Sequence, residues 1–292
     1  MMKKRVLAGV LSAAMAVSMS VTMVYAGETE AVSGTEAAAN ADGLATEGKF
    51  VVGFDAEYPP YGYMDDNGDY TGFDLELAQA VCDLEGWELV KTPIDWNSKD
   101  MELNSGNIDC IWNGFTMSPE RLDKYTWTVP YVQNKQLVLV KADSGIKAFA
   151  DLRGKGVAVQ DGSSGAEAME AKLKEAQEAD AEFAFSDLKK VPDYVTAFTM
   201  LQSGAVDALG VDSAVAGGFV EKGEGKFVTL EETLMDEKYA VGFKLGNESL
   251  RDEVQATLLE MVADGTAAKI VAHWAEEEAA HGGDKIDFVL KP

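Results

Sequence analysis

The chain has 292 residues and carries 25 Lys and Arg against 50 Asp and Glu, a formal net charge of -25. An acid excess of that size speaks against nucleic acid or an anionic lipid surface as partner, since both need a basic footprint. Two Cys and two His exclude a disulfide-dense scaffold and nearly exclude a Cys/His zinc site, while 47% hydrophobic content over this length suits a globular chain of two domains or lobes.

Residues 1–26 read as a secretory signal. Lys3, Lys4 and Arg5 precede an apolar run from Val6 to Val24, and Val24-Tyr25-Ala26 offers small residues to signal peptidase, so cleavage is expected after Ala26. An uncleaved anchor is the competing reading, weakened by Ser12, Ser18, Ser20 and Thr22 inside the run. Residues 27–48, mostly Ala, Gly, Glu and Thr, hold too little apolar surface to offset ordering entropy and are expected to form a flexible acidic leader.

From Lys49 onward short β-rich runs alternate with helical periodicity. Strands are expected at 49–54, 87–92, 108–112, 136–141, 156–160, 206–211 and 239–244. Leu77, Val81 and Leu84 form a helical stripe closed by Gly86; Leu250, Val254, Leu258, Met261 and Val262 form another, closed by Gly265. Such alternation, with strands apolar along their length, predicts an α/β architecture of mostly parallel sheets. A weak repeat supports two similar lobes: Leu103-Asn104-Ser105-Gly106-Asn107-Ile108-Asp109-Cys110 matches Leu201-Gln202-Ser203-Gly204-Ala205-Val206-Asp207-Ala208. In each copy a helix is expected to end at a glycine able to turn left-handed before a buried strand.

Ligands of open α/β sheets bind beyond the carboxyl ends of the strands. After the first strand stand Asp55, Glu57 and Tyr58, and after the second Trp96. Asn113, Gly114, Thr116 and Arg121 follow the third, Ser163 and Ser164 follow 156–160, and Asp212 follows 206–211. One guanidinium, several carboxylates, two aromatics and hydroxyl-bearing loops form a recognition set for a ligand with both charges. Each residue also has a plainer role: Arg121 as a surface ion pair with Glu120 and Asp123, the aromatics as core, Asp212 as a helix cap. Cys82 and Cys110 read as buried free thiols, His273 and His281 as residues of a solvated terminal helix, and the Gly-rich stretch 219–226 as a turn. No cofactor and no metal site is expected.

The motifs Gly53-Phe54-Asp55, Tyr58-Pro59-Pro60-Tyr61, Gly72-Phe73-Asp74, Asn113-Gly114-Phe115-Thr116, Glu120-Arg121, Gly162-Ser163-Ser164 and Val206-Asp207-Ala208 stand in an order that resembles the extracytoplasmic solute-binding proteins of polar amino-acid ABC importers. That resemblance runs from Lys49 to nearly the C-terminus. It implies a type II periplasmic-binding-protein fold, two similar α/β lobes joined by a two-crossing hinge with the ligand in the cleft between them. Lobe one would comprise 49–131 and 239–292, lobe two 132–238, with crossings near 132–135 and 236–239.

The resemblance also implies roles. Arg121 would clamp the α-carboxylate with donors from Thr116 and Ser164, Asp212 and the Gly114 carbonyl would hold the α-ammonium, and Tyr58 and Trp96 would sandwich the side chain. Asp55 would reach the side chain's polar end. Partners would be a free amino acid and a membrane permease, with no nucleic acid and a monomeric chain, exported to the periplasm or cell surface. Asp55 with Glu57 favours Arg, Lys, His, Gln or cystine; acidic ligands are disfavoured because no second basic residue is evident near the aromatic walls. A dehydratase on the same scaffold would need Glu57 or Asp55 as proton carrier, and a sensor ectodomain would need a span and signalling domain beyond Pro292.

Overall fold

The computed structural model describes residues 48–281 and 286–291; the expected signal, all of the leader but Gly48, and the side chain of His281 lie outside it. β1 (Lys49–Phe54) leads through a small meander, β2 (Glu57–Tyr58), β3 (Gly62–Met64) and β4 (Tyr70–Thr71), into helix α1 (Phe73–Glu85). β5 (Glu88–Pro93), α2 (Lys99–Ser105), β6 (Cys110–Ile111) and β7 (Tyr125–Trp127) follow, and then the long β8 (Val132–Lys141). Next come β9 (Gly156–Gln160), α3 (Ser164–Ala179), β10 (Asp187–Val191), α4 (Tyr194–Ser203), β11 (Ala208–Asp212), α5 (Ser213–Lys222) and β12 (Phe227–Thr229). β13 (Met235–Tyr239), β14 (Gly242–Lys244), α6 (Glu248–Asp264), α7 (Thr266–His281) and β15 (Asp287–Phe288) complete the chain.

Besides the three-stranded β2-β3-β4 sheet, two larger sheets result, ordered β5-β1-β6-β14-β7 and β10-β9-β11-β8-β12, with β13 and β15 also paired to β8. The expectation of mostly parallel sheets needs correction. β1 runs parallel to β5 and β6, and β9 parallel to β10 and β11. β14 is antiparallel to β6 and β7, and β8 is antiparallel to β11, β12, β13 and β15. Helical crossovers bring a strand back in the same direction. β8 and β14 instead enter their sheets straight from the other half of the chain, at the end where the parallel strands finish, and so run against them. Apolar content cannot report that direction, because the second half of β8 and most of β14 are covered on both faces, as are β9 and β11.

The repeat is repeated in structure. Gly106 (φ 81) and Gly204 (φ 79) both close their helices left-handed. Asp109 Oδ2 then accepts the N–H of Val51 at 2.7 Å, and Asp207 Oδ2 that of Gly156 at 2.9 Å, so each copy fastens the start of its neighbouring strand. Boundaries moved elsewhere: the run expected at 239–244 is two strands, parted where the Ala240 N–H donates to the Phe115 carbonyl. Leu77 and Val81 are buried on α1 as the stripe predicts, but Leu84 at its last turn is exposed. Phe50, Val52 and Phe54 pack in one core with Leu77, Val81, Val254, Leu258 and Trp274; Val157, Val159, Ala166 and Met169 belong to a second. Cys82 and Cys110 are buried and free.

The predicted crossings lie side by side. β8 and β13 pair with Glu237 opposite Asn134 and Tyr239 opposite Val132, and Val132 and Gln133 also pair with β15. Alternation along both strands buries Val132, Asn134, Gln136, Glu237 and Tyr239 while Gln133, Lys135, Asp236 and Lys238 face out.

Candidate functional site

The ends of β1, β6, β9 and β11 converge on one cleft. Ten of the eleven predicted residues line it: Asp55, Tyr58, Trp96, Asn113, Gly114, Thr116, Arg121, Ser163, Ser164 and Asp212. Glu57 does not; it is exposed on β2, with its N–H donating to Asp55 Oδ1 at 2.9 Å. Gln160 and Tyr194 line the cleft without having been singled out in the sequence.

Arg121 is not the surface ion pair of the plainer reading. Glu120 and Asp123 are exposed, whereas the Arg121 side chain is 5% exposed and reaches across the cleft to Glu167 at 2.7 Å and the Gly162 carbonyl at 3.1 Å. Its guanidinium lies over the Phe115 ring, 5.2 Å from the centroid. Lys99 corrects the expectation that no second basic residue stands near the aromatic walls. Its ammonium sits 5.2 Å from the centroid of Trp96 and donates to the Trp96 and Gly162 carbonyls. Burial first, then the Arg121 charge, lowers Lys99 to about 8. A lone Lys in a charged helix turn carries no sequence signal for this.

The hydroxyls divide their work. Ser163 caps α3, accepting from the Ala166 N–H at 3.0 Å and donating to the Gln160 carbonyl at 2.7 Å. Thr116 Oγ1 lies 3.0 Å from Ser164 Oγ and 2.9 Å from Glu237 Oε2, joining the segment after β6 to α3 and β13. Gly114 (φ 54) lets the backbone pass Tyr58, where a Cβ would come within 2.8 Å of the ring. Its N–H donates to the buried Asp74 of the Gly-Phe-Asp motif at 2.5 Å; burial nonetheless raises Asp74 to about 7.

Asp55 and Asp212 occupy different ends. Asp55 accepts from Gln160 Nε2 at 2.6 Å, its own N–H donates to Asn113 Oδ1 at 3.1 Å, and burial raises it to about 6. Asn113 Nδ2 is buried with no hydrogen-bond partner. Asp212 precedes α5 but does not cap it; it accepts from Gln136 at 2.7 Å, Asn134 at 3.1 Å, Tyr194 at 2.9 Å and Tyr239 at 2.5 Å. Tyr58 meets Tyr239 hydroxyl to hydroxyl at 3.0 Å. Glu237, passed over inside the charged run Asp236-Glu237-Lys238, turns its carboxylate into this network from β13. Strand alternation puts Glu237 on the buried face with Tyr239, but only the register of β13 against β8 brings it to Asp212.

Together these side chains leave a cavity of about 10 Å³, room for one water. An organic ligand enters only as the walls part. Among the described residues no cluster suits a metal ion, and no helix is long and apolar enough to cross a membrane.

Two α/β sheets meeting over a cleft that offers a guanidinium on one side and a carboxylate on the other define a two-lobe solute-binding protein. Residues 50–277 match the family of bacterial extracellular solute-binding proteins, family 3, and the chain belongs to it. It is a binding protein of the type II periplasmic fold, not an enzyme. The L-cystine-binding protein TcyJ of Escherichia coli (strain K12) is 30% identical over 229 residues, 78% of this chain and 82% of that protein. An ancestral arginine-binding protein solved with arginine has a TM-score of 0.71 at 35% identity, covering 78% of this chain and 98% of its own. An ancestral arginine-binding protein solved with glutamine gives 0.70 at 33%, covering 78% and 97%.

Proposed function

We propose that this chain captures a free polar amino acid outside the cytoplasm and delivers it to the permease of an ABC importer. One observation carries the reading: a single buried cleft holds Arg121, whose guanidinium already grips a carboxylate, opposite Asp212, whose carboxylate gathers four donors. A planar fork suits an α-carboxylate, and a hydrogen-bonded carboxylate suits an α-ammonium. Tyr58 and Trp96 would flank the side chain, and Asp55, Gln160 and Asn113 Nδ2 would meet its polar end. That end suits arginine, lysine, histidine, glutamine or the second head of cystine, in keeping with relatives named for cystine and arginine.

Lobe one is assigned residues 49–131 and 239–292, lobe two 132–238, with the paired β8 and β13 as hinge. One chain lines the whole cleft, so a monomer suffices. Calorimetry with these five amino acids tests the proposal, with Arg121→Lys as the companion variant and unchanged circular dichroism as the fold control. At least one ligand is expected to bind, and Arg121→Lys to weaken it by about 2–5 kcal/mol, taking a micromolar Kd to between tens of micromolar and several millimolar. Binding by Arg121→Lys within threefold of the parent would refute the carboxylate clamp.

A further inference from the structure

Glu237 stands against Asp212 behind the cleft wall, and its assignment as a partner in capture rests on the reading that Asp212 receives the ligand's ammonium. The two carboxylates share their donors. Asn134 Nδ2 lies 3.1 Å from Asp212 Oδ1 and 2.6 Å from Glu237 Oε1; Gln136 Nε2 lies 2.7 Å and 2.9 Å from the same pair. Both acids are buried, 2% and 5% exposed. The titratable groups facing Glu237 are Asp212 from β11, Tyr58 from β2, Tyr194 from α4 and Tyr239 from its own strand. Thr116, Asn134 and Gln136 bond to it and carry no charge. Lys135 and Lys238 alternate to the outer face of their strands, and Arg121 is turned to Glu167. Among the described residues neither carboxylate has an ion pair.

Two such anions side by side cannot both stay ionised at low cost, so one holds a proton. Asp212 accepts from four donors, two of them phenols, and Glu237 from three, which assigns the proton to Glu237. We infer that Glu237 is a proton-carrying partner of Asp212, and that the ammonium of the arriving amino acid displaces this proton to solvent. A cation against the pair favours the doubly ionised form, which the free protein disfavours. Glu237 thereby becomes a positioning residue that couples capture of the amino acid to pH. Burial first, then the charge of Asp212 and a hydrogen bond to it, raise Glu237 to about 8.

Two measurements test this. The first is calorimetry of L-arginine, L-glutamine and L-cystine in phosphate and in Tris, from pH 7 to 8, above the range in which Asp55 titrates. The expected result is release of roughly one proton per amino acid at pH 7, and affinity that climbs with pH across this range by up to roughly tenfold per unit. Lys99 titrates in the same range, so the Glu237 share is the difference between the parent protein and Glu237→Gln.

The second measurement needs no ligand. A carboxyl whose folded pKa exceeds its unfolded value favours folding most at low pH and loses that advantage as pH rises through the folded value. Urea stability of the parent relative to Glu237→Gln is therefore expected to fall between pH 5 and pH 8. A flat stability difference, or equal proton release by parent and variant, overturns the shared proton. Calorimetry in which none of the three amino acids binds overturns the amino-acid reading instead, and with it the ligand half of this inference.

Discussion

Asp55 and Asp212 are both buried carboxylates of the cleft, but their neighbours give them different work. Asp212 gathers hydroxyls and amides, while Asp55 has Gln160 and the Glu57 N–H. Burial lifts Asp55 to about 6, with those two hydrogen bonds pulling the other way. As pH falls through 6 it becomes neutral, and in its proposed place at the side-chain end it would no longer meet a cation. L-arginine is therefore expected to lose affinity between pH 7 and pH 5 more steeply than L-glutamine, whose amide needs no anion. Asp55→Asn should remove the difference in slope. Equal pH slopes for the two ligands, measured by calorimetry, would take Asp55 away from the side-chain end. Among the cleft residues, Arg121 and Asp212 were legible from motif order. Glu167, Lys99 and Glu237 were not, because each sits in an ordinary charged stretch and gains its role only by facing a residue from another element.

Among the elements, the repeated helix–glycine–strand unit explains how the two lobes are alike. Asp109 and Asp207 each take the N–H at the start of a neighbouring strand, Val51 and Gly156. Losing either acceptor strands a backbone donor near the start of an interior strand. Asp109 is half-buried and Asp207 exposed, so water replaces the second more readily. Asp109→Ala is expected to cost about 1–3 kcal/mol in urea unfolding and Asp207→Ala less, about 0.5–1.5 kcal/mol. Equal or reversed costs would show that the two copies do not hold their sheets in the same way. The strands missed by periodicity are mostly short, β2, β3, β4, β7, β12 and β15 having two or three residues each. A period of two cannot be read over so few positions.

For the whole molecule, the contacts across the cleft decide access. Arg121 reaches Glu167, Lys99 the Gly162 carbonyl, Thr116 Ser164, and Asp55 Gln160, around a cavity of about 10 Å³. An amino acid does not fit that volume, so loading requires the walls to part, and the proposed hinge for that is the paired β8 and β13. In the proposed reading neither lobe alone satisfies both ligand charges, and a ligand held by both would shift the population toward closure. Solution scattering is expected to show a smaller radius of gyration at saturating ligand than without it. Ligand at a hundredfold excess over Kd should also add about 2.7 kcal/mol of stability. A radius that ligand leaves unchanged, or increases, would contradict closure about this hinge.

Strand and helix order, the doubled unit and the chemical character of the cleft follow from the sequence by itself. Apolar periodicity, glycine stops and polar residues after strands are local features, and local physics produces them. Asp55 and Asp212 fall at strand ends, and Trp96 and Arg121 in the segments that follow strands, in any α/β arrangement of these elements. Strand direction was decided only in three dimensions, because the second half of β8 and most of β14 are covered on both faces whichever way they run. So was the exclusion of Glu57, one residue out of phase with its buried neighbour Tyr58 on a two-residue strand. The meeting of Glu237 with Asp212 depends on the register of β13 against β8, which places Glu237 opposite Asn134. Register is a property of the paired strands, and neither strand encodes it alone.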